Sequence, residues 1–379
     1  MERIYFDISA TTPLNPKVGE YMYTLQKEVY GNPSSIHREG QAAHAVVEKS
    51  RRQLANVLNC KPDEIIFTSS GTEANNMVLK GILKSGDHLI SSSYEHPAIL
   101  KVLPSLEEWG IEITLVKPNS SGQITVQAIE SALQDNTRLI SIMQVNNELG
   151  CINPLQEIGE FAHSHNILCH SDAVQALGKI PLDLQRIPVD FLSMSAHKLY
   201  GPKGAGALFK REGISLDPLL HGGGQEGNLR ASTENLAGIG GFGLAAELAA
   251  ISLEENTEHI NDLENCFLSH LDDLEINYFI NGENRIPGVF NITFPGEDGS
   301  SLVMKLDLAG ISISFGAACA SGTSKASGML LDLGLKEADA RASVRISFGK
   351  IHSRKDVKKV IDTIHSLIKH NQITDAIEG

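Results

Sequence analysis

The segment Ser193-Met194-Ser195-Ala196-His197-Lys198-Leu199-Tyr200-Gly201-Pro202-Lys203-Gly204 places a serine, a histidine and a lysine directly after a short apolar run. If that run is a strand of a parallel sheet, the three side chains stand at its C-terminal edge, where ligands bind in open α/β folds. A lysine so placed can form a Schiff base with a carbonyl compound. A second run ends in His170-Ser171-Asp172-Ala173-Val174-Gln175, so the Asp172 carboxylate can reach the same crevice and hold a ring nitrogen in its protonated form. Lysine plus aspartate is the pair that pyridoxal phosphate needs, and that cofactor also needs a phosphate cradle. Thr68-Ser69-Ser70-Gly71-Thr72-Glu73, between a strand and a helix, offers free backbone N–H groups beside the Thr72 hydroxyl at a helix N-terminus. His96 follows the next strand and can lie over an aromatic ring. Taken singly, each residue has an ordinary reading: Lys198 on the surface, Asp172 and Thr72 as helix caps, His96 as a buried hydrogen bonder, Asn147 as a turn residue. Their succession at the strand ends of one sheet is what distinguishes them.

The elements that must position these residues are read from periodicity. Strands are expected at 64–68, 88–92, 111–116, 139–145, 167–171 and 191–193, alternating with helices at 72–83, from Pro97 toward Trp109, and from Pro154 to His165. That alternation predicts βαβ units and a largely parallel sheet. Val47, Leu54, Val57 and Leu58 mark one face of a helix whose other face carries Lys49, Arg51, Arg52 and Gln53. After Leu253 the character changes to a charged helix, strands at 289–294, 311–314 and 343–347, and a helix from Arg354 to Lys369. The expected division is therefore a large domain over 13–253 and a smaller α+β domain formed by 1–12 with 254–379. The run from Gly316 to Gly328, rich in Ala, Ser and Gly, is expected to be a loop.

The 379 residues carry 32 basic and 46 acidic side chains, a net charge of −14, which argues against nucleic acid or an anionic membrane as the main partner. The five cysteines are scattered with no C-x-x-C pair, so neither a disulfide framework nor a cysteine zinc site is expected, and the compartment is read as reducing and cytoplasmic. No export signal is legible at the N-terminus, and the weakly polar stretch from Leu236 to Leu253, broken by Glu247, suits a buried core helix better than a membrane span. Three motifs are set aside. Gly238, Gly240 and Gly243 satisfy G-x-G-x-x-G without the preceding strand that a dinucleotide site requires. Ser195 and Lys198 satisfy S-x-x-K without the companion elements of a penicillin-recognising enzyme. His163, His165, Cys169 and His170 lack metal-ligand spacing, and no metal is expected.

The chain resembles the cysteine desulfurases of the nitrogen-fixation and iron–sulfur-cluster-assembly type, within the class V aminotransferase-like pyridoxal phosphate enzymes. The resemblance runs nearly end to end. It rests on Phe6 to Pro13, Gly31-Asn32-Pro33-Ser34-Ser35-Ile36-His37, the Thr72 loop, Glu95-His96, Val145-Asn146-Asn147-Glu148, the Asp172 and Lys198 segments, His221 to Glu226, Ala318-Cys319 and Val344-Arg345-Ile346-Ser347. It implies an α/β fold of the aspartate aminotransferase type (fold type I) and conversion of L-cysteine to L-alanine, with sulfur passing to Cys319 as a persulfide. From there sulfur would go to an iron–sulfur scaffold or sulfur-carrier protein.

Residue by residue, the resemblance makes Lys198 the Schiff-base lysine, Asp172 the partner of the pyridinium nitrogen, and His96 the stacking residue and acid/base. Asn147 and Gln175 contact the phenolic oxygen. Gly71, Thr72, Ser195 and His197 bind the phosphate, joined by Thr233 from the neighbouring subunit of a homodimer. Arg345 clamps the substrate carboxylate with help from Asn32, and Cys319 is the nucleophile. Three departures from the family pattern stand out: Phe315-Gly316-Ala317-Ala318 before the cysteine, Ser324-Lys325-Ala326-Ser327 after it, and Gly227-Asn228-Leu229-Arg230-Ala231-Ser232-Thr233 at the interface phosphate loop. The rival expectations are a transaminase or C–S lyase on the same fold, for which Cys319 is dispensable, and a non-catalytic binding platform.

Overall fold

The computed structural model describes residues 3–316 and 327–378. Its strands are β1 (Ile4–Tyr5), β2 (Ile65–Thr68), β3 (His88–Ser92), β4 (Glu112–Val116), β5 (Thr137–Ser141), β6 (Leu168–Asp172), β7 (Phe191–Ser195), β8 (Gly206–Lys210), β9 (Phe279–Asn281), β10 (Val289–Thr293), β11 (Ile311–Ser312) and β12 (Ser343–Ser347). Seven of them form one sheet in the order β2-β8-β7-β6-β5-β3-β4. The pairs from β4 to β7 are all parallel, whereas β8 runs antiparallel to both β7 and β2. The expected parallel sheet is thus mixed by one reversed strand, and β2 still points the same way as β7. The C-terminal ends of β2, β3, β5, β6 and β7 consequently reach one edge, and that edge carries the chemistry.

The inner strands of this sheet are largely buried, as sequences covered by helices on both faces must be, while the edge strand β4 buries only Val116. Its interior nevertheless holds a polar track. His170 on β6 is fully buried, and its Nδ1 and Nε2 meet Ser141 Oγ of β5 at 2.8 Å and Ser193 Oγ of β7 at 3.0 Å. Burial drives its imidazole down to about 3, so it stays neutral while bridging the strands. The helix Gly71–Ile82 buries Ala74, Met77 and Val78 against the sheet and begins at the end of β2. Gly206 at the start of β8 is required there: a Cβ would lie 2.5 Å from the carbonyl carbon of Ser70.

The helix expected from Pro97 to Trp109 is two short ones, Pro97–Leu100 and Leu103–Glu108, because Pro104 begins a new first turn rather than continuing the old one. The helix Leu236–Ile251 is mostly buried among other helices. No single helix among the described residues is long and apolar enough to cross a membrane.

A second apolar cluster joins Ile4 and Phe6 to Phe267, Phe290, Ile346 and Val360. It lies around the antiparallel sheet β12-β10-β9 and the helices Leu253–Asp273 and Arg354–Glu378. The first residues connect this cluster to the large sheet. β1 pairs parallel with β11, Ile8 N–H and Ser9 N–H donate to the carbonyl and hydroxyl of Ser347, and Thr12 N–H donates to the carbonyl of His197.

Candidate active site

A cavity of about 450 Å³ opens at the strand-end edge, lined by Thr11, Gly71, Thr72, Asn75, His96, Asn147, Asp172, Gln175, Ser195, His197, Lys198 and Arg345 among others. Of the residues expected to form the site, ten therefore share one wall: Gly71, Thr72, His96, Asn147, Asp172, Gln175, Ser195, His197, Lys198 and Arg345. Asn32 does not reach it; that side chain is exposed and accepts a bond from Ser34 N–H. Thr233 lines a separate hollow of about 190 Å³ beside Ser69 and Gly204. Cys319 lies outside the described residues. The described residues on either side of its stretch are anchored at the cavity: Ser314 bridges to Arg345, and Ser327 donates to Glu148, the neighbour of Asn147.

Lys198 ends a single 3-10 turn, Ala196–Lys198, immediately after β7. Its ammonium donates to the carbonyls of Ser9 and Ala10 at 2.6 and 2.7 Å. Asp172, at the tip of β6 and 5 % exposed, accepts from Asn75 Nδ2 at 2.6 Å and from Val174 N–H at 2.9 Å. His96 caps the helix Pro97–Leu100, its Nδ1 accepting from Ala98 N–H at 3.0 Å. The neutral ring therefore carries its proton on Nε2. Burial lowers its pKa and Lys198 lowers it further, against the pull of Asp172, so three of the expected residues sense one another electrostatically. His197 is held at about 4 by burial and by Lys198, and is neutral at pH 7, with Nδ1 3.1 Å from Thr11 Oγ1.

Arg345, on β12, is 2 % exposed and pairs with Asp7 at 2.7 Å, while Nη1 donates to the Asn147 carbonyl at 2.8 Å. Its Nε has no hydrogen-bond partner among the described residues. Asn147 itself is presented by Asn146, whose buried amide accepts from Glu148 and Leu149 N–H and donates to the Tyr94 carbonyl.

These residues fit pyridoxal phosphate. The cavity is of small-ligand size. In the first turn of the helix Gly71–Ile82, Ser70 takes the N–H groups of Glu73 and Ala74, while those of Gly71 and Thr72 have no partner among the described residues and remain for an anion. Among the described residues Asp172 makes no ion pair, and Arg345 Nε and the buried Asn75 Oδ1 find no hydrogen-bond partner. A flat ligand with a phosphate at one end, a protonatable nitrogen at the other and a substrate carboxylate beside it supplies what these groups lack.

Three contributors escaped the sequence reading. Asn75 stands three residues after Thr72 on one helix, so it shares the face turned to the cavity, and that spacing was an available signal. The carbonyls of Ser9 and Ala10 carry no side-chain signature. Lys179 sits in a loop, donates to Gln175, and feels the charges of Lys198 and Arg345.

The comparisons with known proteins agree with this geometry. Residues 4–360 match the aminotransferase class-V family. The chain is 40% identical over 372 residues to a protein of Dictyoglomus turgidum named cysteine desulfurase IscS, covering 97% of this chain and 94% of that one. Among solved structures, a NifS-like protein superposes with a TM-score of 0.90 at 34% identity, covering 97% of this chain and all of the other. A structure described as SspA in complex with cysteine does so with a TM-score of 0.82 at 36% identity, covering 91% and 98%. With the match spanning nearly the whole chain and both apolar clusters, the protein belongs to the class-V aminotransferase family, in its cysteine desulfurase branch.

Proposed function

We propose that this protein is a pyridoxal phosphate-dependent cysteine desulfurase that converts L-cysteine to L-alanine and passes the sulfur through a persulfide on Cys319 to an acceptor protein. The observation that carries this reading is the meeting of Lys198, Asp172, His96 and the unbonded N–H groups of Gly71 and Thr72 around one cavity. When bound, pyridoxal phosphate supplies an electron sink conjugated to the substrate's Cα.

The rest is the work of this chain. Lys198 is the residue that would hold the cofactor covalently, and its free amine would serve as the base for the substrate's α-proton. Its ammonium state has a ready seat in the Ser9 and Ala10 carbonyls. Asp172 keeps the ring nitrogen protonated. His96, with Nδ1 occupied by Ala98 N–H, would stack on the cofactor and offer Nε2 as the proton-carrying atom. Asn147 and Gln175 address the phenolic oxygen. The phosphate is taken by Gly71, Thr72, Ser195 and the neutral His197. Arg345 is the residue that would bind the substrate carboxylate, on the cavity wall beside Asn147. The Cys319 thiolate attacks the substrate sulfur: the substrate C–S bond breaks, an S–S bond forms, and the substrate's Cβ takes a proton, giving alanine and enzyme persulfide from cysteine and enzyme thiol.

The same reading makes the protein a cytoplasmic homodimer in which the partner subunit's Thr233 completes the phosphate site, and it assigns 13–253 to the cofactor domain and 1–12 with 254–379 to the smaller one. The acceptor is an iron–sulfur scaffold or sulfur carrier. The test is an assay of alanine and sulfide from L-cysteine with protein loaded with pyridoxal phosphate. Wild type should turn yellow and release alanine, and Cys319→Ala should keep the colour and lose alanine production. Colourless wild type, or undiminished alanine from Cys319→Ala, refutes the assignment.

A further inference from the structure

Lys179 is a part-buried lysine whose ammonium donates to Gln175 Oε1 at 2.5 Å. The other end of that amide, Nε2, donates to the Ser9 carbonyl at 2.8 Å, and the same carbonyl receives Lys198 at 2.6 Å. Four groups thus stand in line: ammonium, amide, peptide carbonyl, ammonium. We propose that Lys179 is a positioning residue that locks the Gln175 amide with its oxygen turned away from the cavity and its NH2 turned toward it, making Gln175 an obligatory donor to the phenolic oxygen of the bound cofactor. The proposal rests on the pyridoxal phosphate reading above.

The argument is one of donors and acceptors. An ammonium has three donors and no acceptor, and a peptide carbonyl only accepts. If the amide flipped, its NH2 would face the Lys179 ammonium and its oxygen would face the Ser9 carbonyl, replacing two hydrogen bonds by two repulsions. Gln175 is 3 % exposed, so water cannot relieve either clash. In the observed orientation one N–H is spent on Ser9 and the second remains for a ligand in the cavity that Gln175 lines. Burial, with the charges of Lys198 and Arg345, lowers the Lys179 ammonium to about 7; the neutral amine keeps N–H donors for Oε1 but gains a lone pair that a flipped NH2 could use, so above that pH only the Ser9 carbonyl still opposes the flip and the lock is firmest below it.

The experiment is a double-mutant cycle on pyridoxal phosphate affinity, with the pH midpoint of the bound cofactor's visible absorbance as a second readout. Lys179→Met should weaken binding roughly fivefold, the order expected for one neutral hydrogen bond to the ligand, and should move the midpoint. Gln175→Met should do the same, and Lys179→Met should have no further effect in the Gln175→Met background. Lys179→Arg, which keeps donors and offers no acceptor, should restore most of the lost affinity. An effect of Lys179→Met that is absent, that is undiminished in the Gln175→Met background, or that Lys179→Arg fails to rescue overturns the proposal. Wild type that takes up no pyridoxal phosphate overturns the cofactor reading, and this proposal with it.

Discussion

Replacing Asn75 by leucine separates the site's needs from the fold's. The Asp172 carboxylate accepts two hydrogen bonds, from Asn75 Nδ2 at 2.6 Å and Val174 N–H at 2.9 Å. Only the first is lost in Asn75→Leu. A hydrogen bond to a charged group contributes about 1.5–3 kcal/mol, and about 1.4 kcal/mol is a factor of ten. If that bond aims and charges the carboxylate for the cofactor's ring nitrogen, affinity for pyridoxal phosphate should fall roughly 10- to 100-fold. The stability of the cofactor-free protein should respond differently. Asn75 is 1 % exposed and its Oδ1 has no partner, a desolvation penalty of about 1–3 kcal/mol that leucine removes. Gain and loss nearly cancel, and the unfolding free energy should change by less than about 1 kcal/mol. The checks are a spectroscopic titration with pyridoxal phosphate and urea unfolding of the cofactor-free protein. An affinity within about threefold of wild type, or a stability loss above about 3 kcal/mol, refutes the reasoning; the latter marks Asn75 as a structural residue.

Two further outcomes concern buried charges. Glu226 stands in a left-handed conformation at φ 47°, and its side chain is 3% exposed, pairing with Arg51 through both oxygens at 2.8 Å and accepting Phe67 N–H. Glu226→Ala should cost about 1.5–3 kcal/mol, because Arg51 keeps Glu48 and the Ile65 carbonyl but loses its bidentate partner while Phe67 N–H loses its acceptor, read as a lower urea midpoint, and Arg51→Met in the same chain should recover part of it; a shift below about 1 kcal/mol contradicts the pairing argument. Glu95 is pushed up to about 8, mainly by burial, so the folded protein holds a proton that the unfolded chain releases at ordinary carboxylate pH. Its stabilising share is present at low pH and declines as pH rises from about 4.5 to about 8. Glu95→Gln should flatten that decline in urea-unfolding free energies measured across the window, and an unchanged slope would count against the assignment.

The strand ends were legible because β-branched and apolar runs followed by Ser, Asp, His or Lys are unusual, and five of them recur in order. β8, Gly206-Ala207-Leu208-Phe209-Lys210, was not read as a strand. It follows a Gly-Pro-Lys-Gly turn, opens with glycine and offers no alternation, so nothing local shows that it reverses the sheet. The run Leu139–Val145 was read as one strand, yet pairing covers Thr137–Ser141 and the remaining residues leave the sheet still buried. Apolarity reports burial, and burial does not stop where hydrogen-bonded pairing does. At Pro104 the signal for a helix break was present and was passed over. Lys179 is the opposite case: it lies 19 residues from Lys198 in the chain, and no spacing rule connects a loop lysine to a carbonyl near the N-terminus.

The N-terminal segment has a mechanical consequence. Successive peptide groups of Ile8, Ser9 and Ala10 are gripped on one side by Ser347, in the antiparallel sheet, and on the other by Lys198, at the tip of the large one. A tether of this kind is short and nearly inextensible. Any rocking of the apolar cluster around β12 against the large sheet is delivered along the cavity wall to the seat of Lys198. Arg345 stands two residues from Ser347 on the same strand, so a ligand held by Arg345 and tension on the Ser9–Ala10 carbonyls would be two ends of one lever.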